Sequence, residues 1–400
     1  MTENAALSGV RVLDFTRVLA GPFCTMLLAD MGADVIKVES LQGDDTRQWG
    51  PPWYESAGEQ VSAYYLSVNR NKRSIALNLK HPAGQKIARE VAAQSDIVVE
   101  NLKPGGMSAF GLGYEDLRVI QPALVYASIT GYGQQGLYSE RPGYDFVIQA
   151  QSGLMSITGP ETGEPYKMGV AISDVIAGLF AATSILAALR HAEKTGVGQH
   201  LDISLLDTSL AALVNIASGA LVSNLPAERY GNAHPSIVPY QLFDAEDGPF
   251  ALAVGNDRQY AAMCSVIGRP DLVTDARFAI NPDRVANRDA LIGILQTIFR
   301  TRKAEDWLDA LLKAGVPAGP LNTVQAALHD PHVQARGIVQ EVSFLDDMLK
   351  MIGPVVGFSE TPAEIRAAPP RLGEHTDTIL QGIGYGNEAI AQMRERGGIL

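Results

Sequence analysis

The stretch RVLDFTRVLAGPFCTMLLADMGADVIKVE (residues 11–39) decides the fold of this 400-residue chain. Residues 10–15 form a short β-rich run, and the turn at residues 19–22 leads into an apolar-periodic helix that Gly32 ends. A second β-rich run follows at residues 34–39. The pattern predicts a βαβ unit with a right-handed crossover.

Further strand signals extend this unit into a sheet. Residues 96–100 and 124–129 are β-rich, each follows a helical stretch, and residues 199–206 alternate like a strand. We therefore expect an α/β fold with a Rossmann-like, mostly parallel sheet that is buried on both faces.

Ligands of such sheets bind beyond the carboxyl ends of the strands. The residues at those positions are rich in hydrogen-bond donors, namely Thr16, Arg17, Asn101, Leu102, Lys103 and Thr130. The first turn has no G-x-G-x-x-G fingerprint and the chain has no Walker A sequence, which disfavours NAD and ATP as cofactors.

Changes in the residue pattern along the chain predict four segments. Residues 1–205 form the first part of a large α/β domain, and residues 206–231 form a linker helix and connection. Residues 232–330 are expected to form a smaller α+β domain, and residues 331–400 return to the large domain. The last segment has β-like runs at 338–344 and 355–358.

Composition excludes several classes of protein. The net charge of -12 disfavours nucleic-acid and anionic-membrane partners, which require a basic excess. Two distant cysteines, Cys24 and Cys264, indicate a reducing compartment, and the N-terminus has no secretion-signal pattern, so we expect a cytoplasmic protein. The apolar stretches 175–189 and 208–222 are shorter than a membrane span and predict buried core helices.

Asp174 is the main candidate for chemistry. It lies before a long apolar helix, where a carboxylate can cap the helix or act as a covalent nucleophile. The basic cluster at residues 69–74, which includes Lys72 and Arg73, is either a solvated turn before a strand or a phosphate-contacting segment. The dispersed histidines predict no metal site, and His234 is a loop histidine or a ligand contact.

Five ordered motifs together resemble the class III CoA-transferases, the formyl-CoA and carnitine CoA-transferase family. They are VLDFTRVLAGP (12–22), GADVIKVE (32–39), NRNKRS (69–74), VENLKPG (99–105) and the segment around Asp174. The resemblance implies an enzyme whose Asp174 attacks an acyl-CoA, forms a mixed anhydride and then carries CoA as an aspartyl thioester. It also implies an interlocked homodimer, with acyl-CoA and a carboxylic acid as substrates.

The family's binding residues carry over onto matching positions. The resemblance implies CoA contacts at Arg17, Val18, Ala20, Lys72, Asn101 and Leu102, to which the donor clusters add Arg73 and Lys103. Gly255 and Asn256 match the loop that shields the site from water. Tyr144, beside Asp145, stands where related racemases have a catalytic histidine, which disfavours racemisation.

Other segments resemble the branch that uses succinyl-CoA with dicarboxylates such as glutarate or hydroxymethylglutarate. They are GPPW (50–53), YYLSVNRN (64–71), SITGYGQ (128–134) and HPSIVPYQ (234–241). A dicarboxylate needs a cation for its distal carboxylate, and Arg47 and Arg73 are the candidates. Two alternatives stay open: an acyl-CoA racemase or isomerase on the same fold, and a non-catalytic acyl-CoA-binding protein.

Overall fold

The computed structural model describes residues 5–400, which divide into two compact units. The large unit contains the residues up to Leu154, Met168–Asn224 and His332–Leu400. The small unit contains Met155–Lys167 and Leu225–Pro331. Two boundaries differ from the sequence prediction: residues 155–167 belong to the small unit, and the helical segment 205–223 belongs to the large unit instead of forming a linker.

Strands and helices alternate through most of the large unit. The strands among residues 5–400 are β1 Arg11–Asp14, β2 Asp34–Glu39, β3 Trp53–Ser56, β4 Glu59–Ser62, β5 Lys72–Ala76, β6 Ile97–Glu100, β7 Val125–Thr130, β8 Gln199–Ser204, β9 Tyr240–Asp244, β10 Pro249–Ala253, β11 Ala318–Pro320, β12 Val339–Phe344 and β13 Asp347–Ile352. The α-helices among the same residues are α1 Ala20–Asp30, α2 Ala63–Ser67, α3 Pro82–Ala92, α4 Tyr114–Leu117, α5 Asp145–Gln151, α6 Ile172–Thr195, α7 Leu205–Ala212, α8 Val214–Ser223, α9 Asp257–Val266, α10 Asn281–Ala286, α11 Arg288–Phe299, α12 Ala304–Lys313, α13 Val324–Leu328, α14 Pro331–Ala335, α15 Thr376–Gly382 and α16 Asn387–Glu395.

A six-stranded parallel sheet forms the centre of the large unit, in the order β5-β2-β1-β6-β7-β8. Val12 of β1 pairs with Val35 on one side and with Ile97 on the other. The chain adds β2 and β5 on one side of β1 and then β6, β7 and β8 on the other. The topological switch therefore lies between β1 and β6, where ligands of open α/β sheets bind. The predicted α/β class is confirmed.

Helices α1 and α6 cover one face of the sheet and pack closely together. A Cβ on Gly178 of α6 would lie 2.7 Å from the carbonyl oxygen of Ala20, so only glycine permits this approach. Helix α6 has 24 residues, more than the predicted run, and by length and composition alone it could cross a membrane. Its buried residues instead belong to the core formed with α1 and the sheet, as in the central helix of a globular domain.

The small unit has its own core. Strand β10 pairs antiparallel with β9 and with β11, and the aromatic residues Phe243, Phe250, Phe299 and Trp307 pack within this core. This agrees with an α+β composition for the unit.

Four local predictions are wrong. The stretch 208–222 is not a buried core helix throughout, because α8 contains no buried residue. Residues 355–358 form no strand; the partner of β12 is β13, which directly follows the turn at Leu345 and Asp346. The basic cluster 69–74 is no solvated turn, since Lys72 begins β5 and residues 69–72 are buried. Helix α6 begins at Ile172, so Asp174 lies inside its first turn rather than before it.

Candidate active site

Two clefts open at the carboxyl edge of the sheet. The larger cleft, of about 560 Å³, is lined by residues that follow β1, β2 and β5, including Arg17, residues 40–45 and residues 77–80. The smaller one, of about 380 Å³, contains Asp174 and is called the Asp174 cleft below. Arg17 and Leu102 line both clefts, which places the two cavities side by side at the switch between β1 and β6.

The Asp174 cleft brings together most of the predicted site residues. Besides Asp174 they are Arg17, Val18, Ala20, Asn101, Leu102, Lys103 and Tyr144. They come from the turns after β1 and β6, from the residue before α5 and from the first turn of α6. Among the described residues, no histidine lines this cleft, so the histidine that related racemases use has no counterpart in its lining.

The Asp174 carboxylate is half-buried and, within residues 5–400, has no hydrogen-bond or ion-pair partner. Burial, followed by the nearby charge of Asp145, raises its pKa from an ordinary 3.8 to about 7. The position in the first turn of α6 would by itself lower the pKa, because the helix dipole favours an anion there. Desolvation outweighs that effect, and the carboxylate is more basic than usual.

Asp145 caps the helix that Asp174 was predicted to cap. The N-cap residue of α6 is Ala171, and its side chain makes no capping hydrogen bond. Instead, an Asp145 oxygen accepts a 2.9 Å hydrogen bond from the Ser173 amide, and the other oxygen accepts one from Gln149. The capping role expected for Asp174 is therefore wrong, because Asp145 fulfils it and the Asp174 carboxylate takes no part in it.

A clamp fixes the turn between β1 and α1. The Asn101 side chain accepts a bond from the Arg17 amide at 3.0 Å and donates one to the Arg17 carbonyl at 2.7 Å. Val18 has a φ of 70°, a left-handed conformation that is rare for a β-branched residue, and its amide donates to Asp44. Strain of this kind persists where the surroundings enforce it and is frequent at functional sites.

Lys72 does not line either cleft. Its ammonium group is fully buried and bonds to Asp14 at 3.2 Å, to the Pro22 carbonyl and to Asn69. Desolvation lowers its pKa to about 8, although Asp14 opposes this shift. All three donor positions of the ammonium group already have protein partners, so the geometry does not support the Lys72 side chain as a CoA contact, and that role stays a prediction.

Arg47 and Arg73 are also bound elsewhere. Arg47 makes two 2.7 Å bonds to Glu39, a further bond to the Tyr65 hydroxyl, and stacks over the Tyr65 ring. Arg73 makes a bidentate pair with Asp34, at 2.9 and 2.6 Å, and lines neither cleft. Both guanidinium groups therefore already bind carboxylates of the protein and lie outside the two clefts, so this geometry does not support Arg47 or Arg73 as the partner of a substrate carboxylate or Arg73 as a CoA contact.

Sequence reasoning missed the segment Leu77–Lys80, which lines the larger cleft. Strand β5 ends at Ala76, so this segment occupies the ligand position after the strand. In the sequence, residues 75–79 alternate like a strand beyond Ala76, and this pattern hides the point where β5 ends.

The remaining predicted residues belong to the small unit. Asn256 caps α9 by accepting a bond from the Gln259 amide, and the Gly255 amide donates to the Gln259 side chain. The His234 ring accepts a bond from the Ser236 amide, as a loop histidine does. Their roles toward substrate stay predictions. Residues 5–400 contain no group of three or more His, Cys, Asp or Glu side chains able to hold a metal.

Comparisons with known proteins agree with this geometry. The model of CoA-transferase family III matches residues 7–376. A succinyl-CoA:glutarate CoA-transferase of Homo sapiens is 46% identical over 99% of this chain and 90% of its own. A succinate–glutarate CoA-transferase of Agrobacterium fabrum is 45% identical over 94% of each chain.

The structural comparison gives the same result. The crystal structure of a CAIB/BAIF family protein from Brucella suis superposes with a TM-score of 0.86 at 42% identity, covering 95% of this chain and 100% of that one. The resemblance to the dicarboxylate branch is confirmed, and the non-catalytic alternative is set aside. The chain belongs to CoA-transferase family III and is an enzyme that uses CoA thioesters as substrates.

Proposed function

We propose that this enzyme moves CoA from succinyl-CoA to a dicarboxylic acid such as glutarate, with Asp174 as the covalent nucleophile. The observation that carries the proposal is the unpaired, half-buried Asp174 carboxylate, whose pKa is raised to about 7 in a cleft of about 380 Å³. Raised basicity makes a carboxylate a better nucleophile, and at neutral pH a large fraction of it is still ionised.

The two clefts suit the two ends of an acyl-CoA. The larger cleft offers Arg17 and Lys80 to the phosphates of the nucleotide end, and its volume of about 560 Å³ exceeds that of the Asp174 cleft. The pantetheine arm then passes Arg17 and Leu102, which line both cavities, and delivers the thioester to Asp174. The turn held by Asn101 gives this passage a fixed wall.

The reaction begins and ends with one acyl-CoA thioester, and anhydrides carry the activated acyl group in between. An Asp174 oxygen attacks the succinyl carbonyl carbon, the C–S bond breaks, and CoA leaves as a thiolate. The product of this step is a mixed anhydride of succinate and Asp174. The thiolate attacks the Asp174 side-chain carbonyl, which releases succinate and gives an aspartyl-CoA thioester. The acceptor carboxylate attacks that thioester and forms a second anhydride, and the returning thiolate attacks its acyl carbonyl. The new acyl-CoA leaves, and Asp174 is again a carboxylate.

The anhydrides explain why the site needs protection from water, since hydrolysis would destroy the activated acyl group. The loop with Gly255 and Asn256 is retained as the predicted shield. Both residues are held by Gln259 at the start of α9 in the small unit.

An interlocked homodimer belongs to the same proposal. It is supported by bulky apolar side chains on α8 that face solvent: Leu221 is 84% exposed, Val222 88% and Val214 67%. Monomeric proteins rarely leave such patches uncovered, and a second copy of the chain would bury them. Light scattering gives the mass in solution, and a monomer would remove this part of the proposal.

An oxygen-label experiment tests the covalent route. The donor is unlabelled succinyl-CoA, and the acceptor is glutarate with oxygen-18 in both carboxylates. Each turnover leaves one glutarate oxygen in Asp174, and the next turnover passes it to succinate. We expect the label in the Asp174 peptide and in succinate, together with glutaryl-CoA by mass spectrometry. Succinate without label during glutaryl-CoA formation would exclude the anhydride route.

The choice of acids needs a separate panel. Succinyl-CoA with glutarate is compared with formyl-CoA with oxalate at equal concentrations, and the CoA esters are followed by mass. A preference for the second pair would refute the dicarboxylate branch while leaving the nucleophile assignment intact.

A further inference from the structure

The proposed function leaves one charge without a partner, the distal carboxylate of a bound dicarboxylate. Burying a carboxylate without a cation or hydrogen-bond donors is costly, so a site built for such acids needs one nearby. Arg47 and Arg73 do not line the Asp174 cleft, and their guanidinium groups already make bidentate pairs with Glu39 and Asp34.

Three cationic side chains line the Asp174 cleft: Arg17, Lys103 and Arg141. Arg17 pairs with Asp45 at 3.1 Å and also lines the larger cleft, so it lies on the proposed path of CoA. Lys103 follows Leu102, the other residue shared by the two cavities. Arg141 lines the Asp174 cleft alone, away from the nucleotide end.

The face of the Arg141 guanidinium group stacks on an aromatic ring, and its N–H edge is left for a ligand. Its guanidinium carbon lies 3.8 Å from the centroid of the Tyr138 ring, and its backbone amide bonds to the Tyr138 carbonyl at 2.9 Å. In the part of the chain that the structure describes, no carboxylate lies within ion-pair distance of it. Stacking engages the π face of a guanidinium and leaves its N–H groups able to grip a carboxylate with two parallel bonds.

We propose that Arg141 binds the distal carboxylate of the dicarboxylate substrates and so selects dicarboxylic over monocarboxylic acids. The proposal rests on the proposed function, because it assigns the substrate's second charge within that same site. Glu140, the preceding residue, also lines the cleft and carries the opposite charge. Without the Arg141 guanidinium, the charge of Glu140 would act against a distal carboxylate bound beside it.

The test compares glutarate with valerate, a five-carbon acid that lacks the distal charge. Wild type and Arg141→Met are assayed with succinyl-CoA and with butyryl-CoA as donors. With butyryl-CoA as donor, we expect the glutarate kcat/KM of Arg141→Met to fall about 50-fold, the size of a lost bidentate charge pair, and the valerate value to change less than about 3-fold. The variant Arg141→Lys keeps the positive charge but cannot make two parallel hydrogen bonds, so its kcat/KM for glutarate should fall by an intermediate factor.

Two controls separate the explanations. Arg300→Met removes an exposed arginine that pairs with Asp244 in the small unit and should leave both acids unaffected. Thermal melting shows whether each variant is folded.

Each outcome decides something. Equal losses for glutarate and valerate would mean that Arg141 supports CoA binding or the fold, and unchanged selectivity would mean that it binds no substrate carboxylate. Either result overturns this inference while the wild-type CoA exchange upholds the proposed function. A wild type that moves no CoA from succinyl-CoA to glutarate overturns both.

Discussion

Two regions at the carboxyl edge of the sheet differ in whether their charged side chains have ion-pair partners. At the larger cleft, which Lys37 and Asp44 line, the buried Asp14, Lys37, Asp44 and Lys72 form a network in which every charge has a partner. The Asp14 carboxylate accepts three hydrogen bonds, from the Thr16 and Thr25 hydroxyls and from the Lys72 ammonium group. In the Asp174 cleft, Asp174 and Arg141 have no ion-pair partner within residues 5–400.

The difference shows how to separate structural from functional charges. Partners in the network lower the pKa of Asp14 although burial opposes them, so this carboxylate is stabilised as an anion. Asp174 is subject to burial and to the like charge of Asp145, and its pKa rises to about 7. A charge that the fold has already satisfied supports the fold, and a charge that it leaves unsatisfied beside a cavity is available to a substrate.

The largest expected effect comes from neutralising the unsatisfied charge. We expect Asp174→Asn to lower kcat for CoA transfer about 10⁴-fold, because the amide cannot act as the nucleophile. The matched control is Asp207→Asn, which changes an exposed carboxylate in the corresponding first-turn position of α7. Equal activity of the two variants would contradict the contrast between the regions.

The same variant reports the cost of burying that charge. The folded pKa of Asp174 lies above its unfolded value of 3.8, so its contribution to stability is present at low pH and is lost as pH rises through about 7. Asp174→Asn should therefore melt at a higher temperature than wild type at pH 8 and show a smaller difference at pH 5. A larger advantage at pH 5 would contradict the raised pKa.

The second effect, on stability, comes from breaking the satisfied network. Lys72→Met leaves the buried Asp14 without its direct ion-pair partner, and we expect the free energy of unfolding to fall by about 3 kcal/mol, measured by urea denaturation. The KM for acyl-CoA should change little, because Lys72 lines neither cleft. A large rise in KM with unchanged stability would restore Lys72 as a CoA contact.

The distinction between the two regions could be predicted from the sequence only in part. Apolar periodicity and turn residues are local signals, and they located β1, α1, β2 and the ligand edge of the sheet. Whether a charge is paired depends on residues far apart in the chain: Lys72 meets Asp14, 58 positions away, and Arg47 meets the Pro370 carbonyl, 323 positions away. No local pattern contains those contacts, so Lys72, Arg47 and Arg73 looked like ligand-binding cations.

The capping error has the same origin. An aspartate near a helix start is a reasonable cap by sequence, but Asp145, 28 positions before Ser173, supplies the bond. The sequence predicts Asp174 as the nucleophile, but it does not show that Asp145 makes the capping bond instead.

The third effect, a shift along the pH axis, tests how Asp145 influences its neighbour. We expect kcat/KM of wild type to rise with pH through about 7 as Asp174 ionises. Asp145→Asn removes a like charge and so should move this rise to lower pH, while its amide oxygen still accepts the Ser173 bond. An unchanged profile would show that burial alone sets the pKa, and Asp207→Asn controls for loss of any carboxylate in this unit.

The smallest expected effect lies one residue from Lys72. Successive side chains of a strand point to opposite faces, and Arg73 of β5 pairs with Asp34 at a site where both side chains are partly exposed, 34% and 24%. Water screens such a pair, and Asp34 keeps a second partner in Arg11, so Arg73→Ala should lower the free energy of unfolding by less than about 1 kcal/mol. Its kcat and KM should match wild type. A loss as large as that of Lys72→Met would mean that burial does not distinguish the two pairs, and a selective rise in the KM for glutarate would return the distal carboxylate to Arg73.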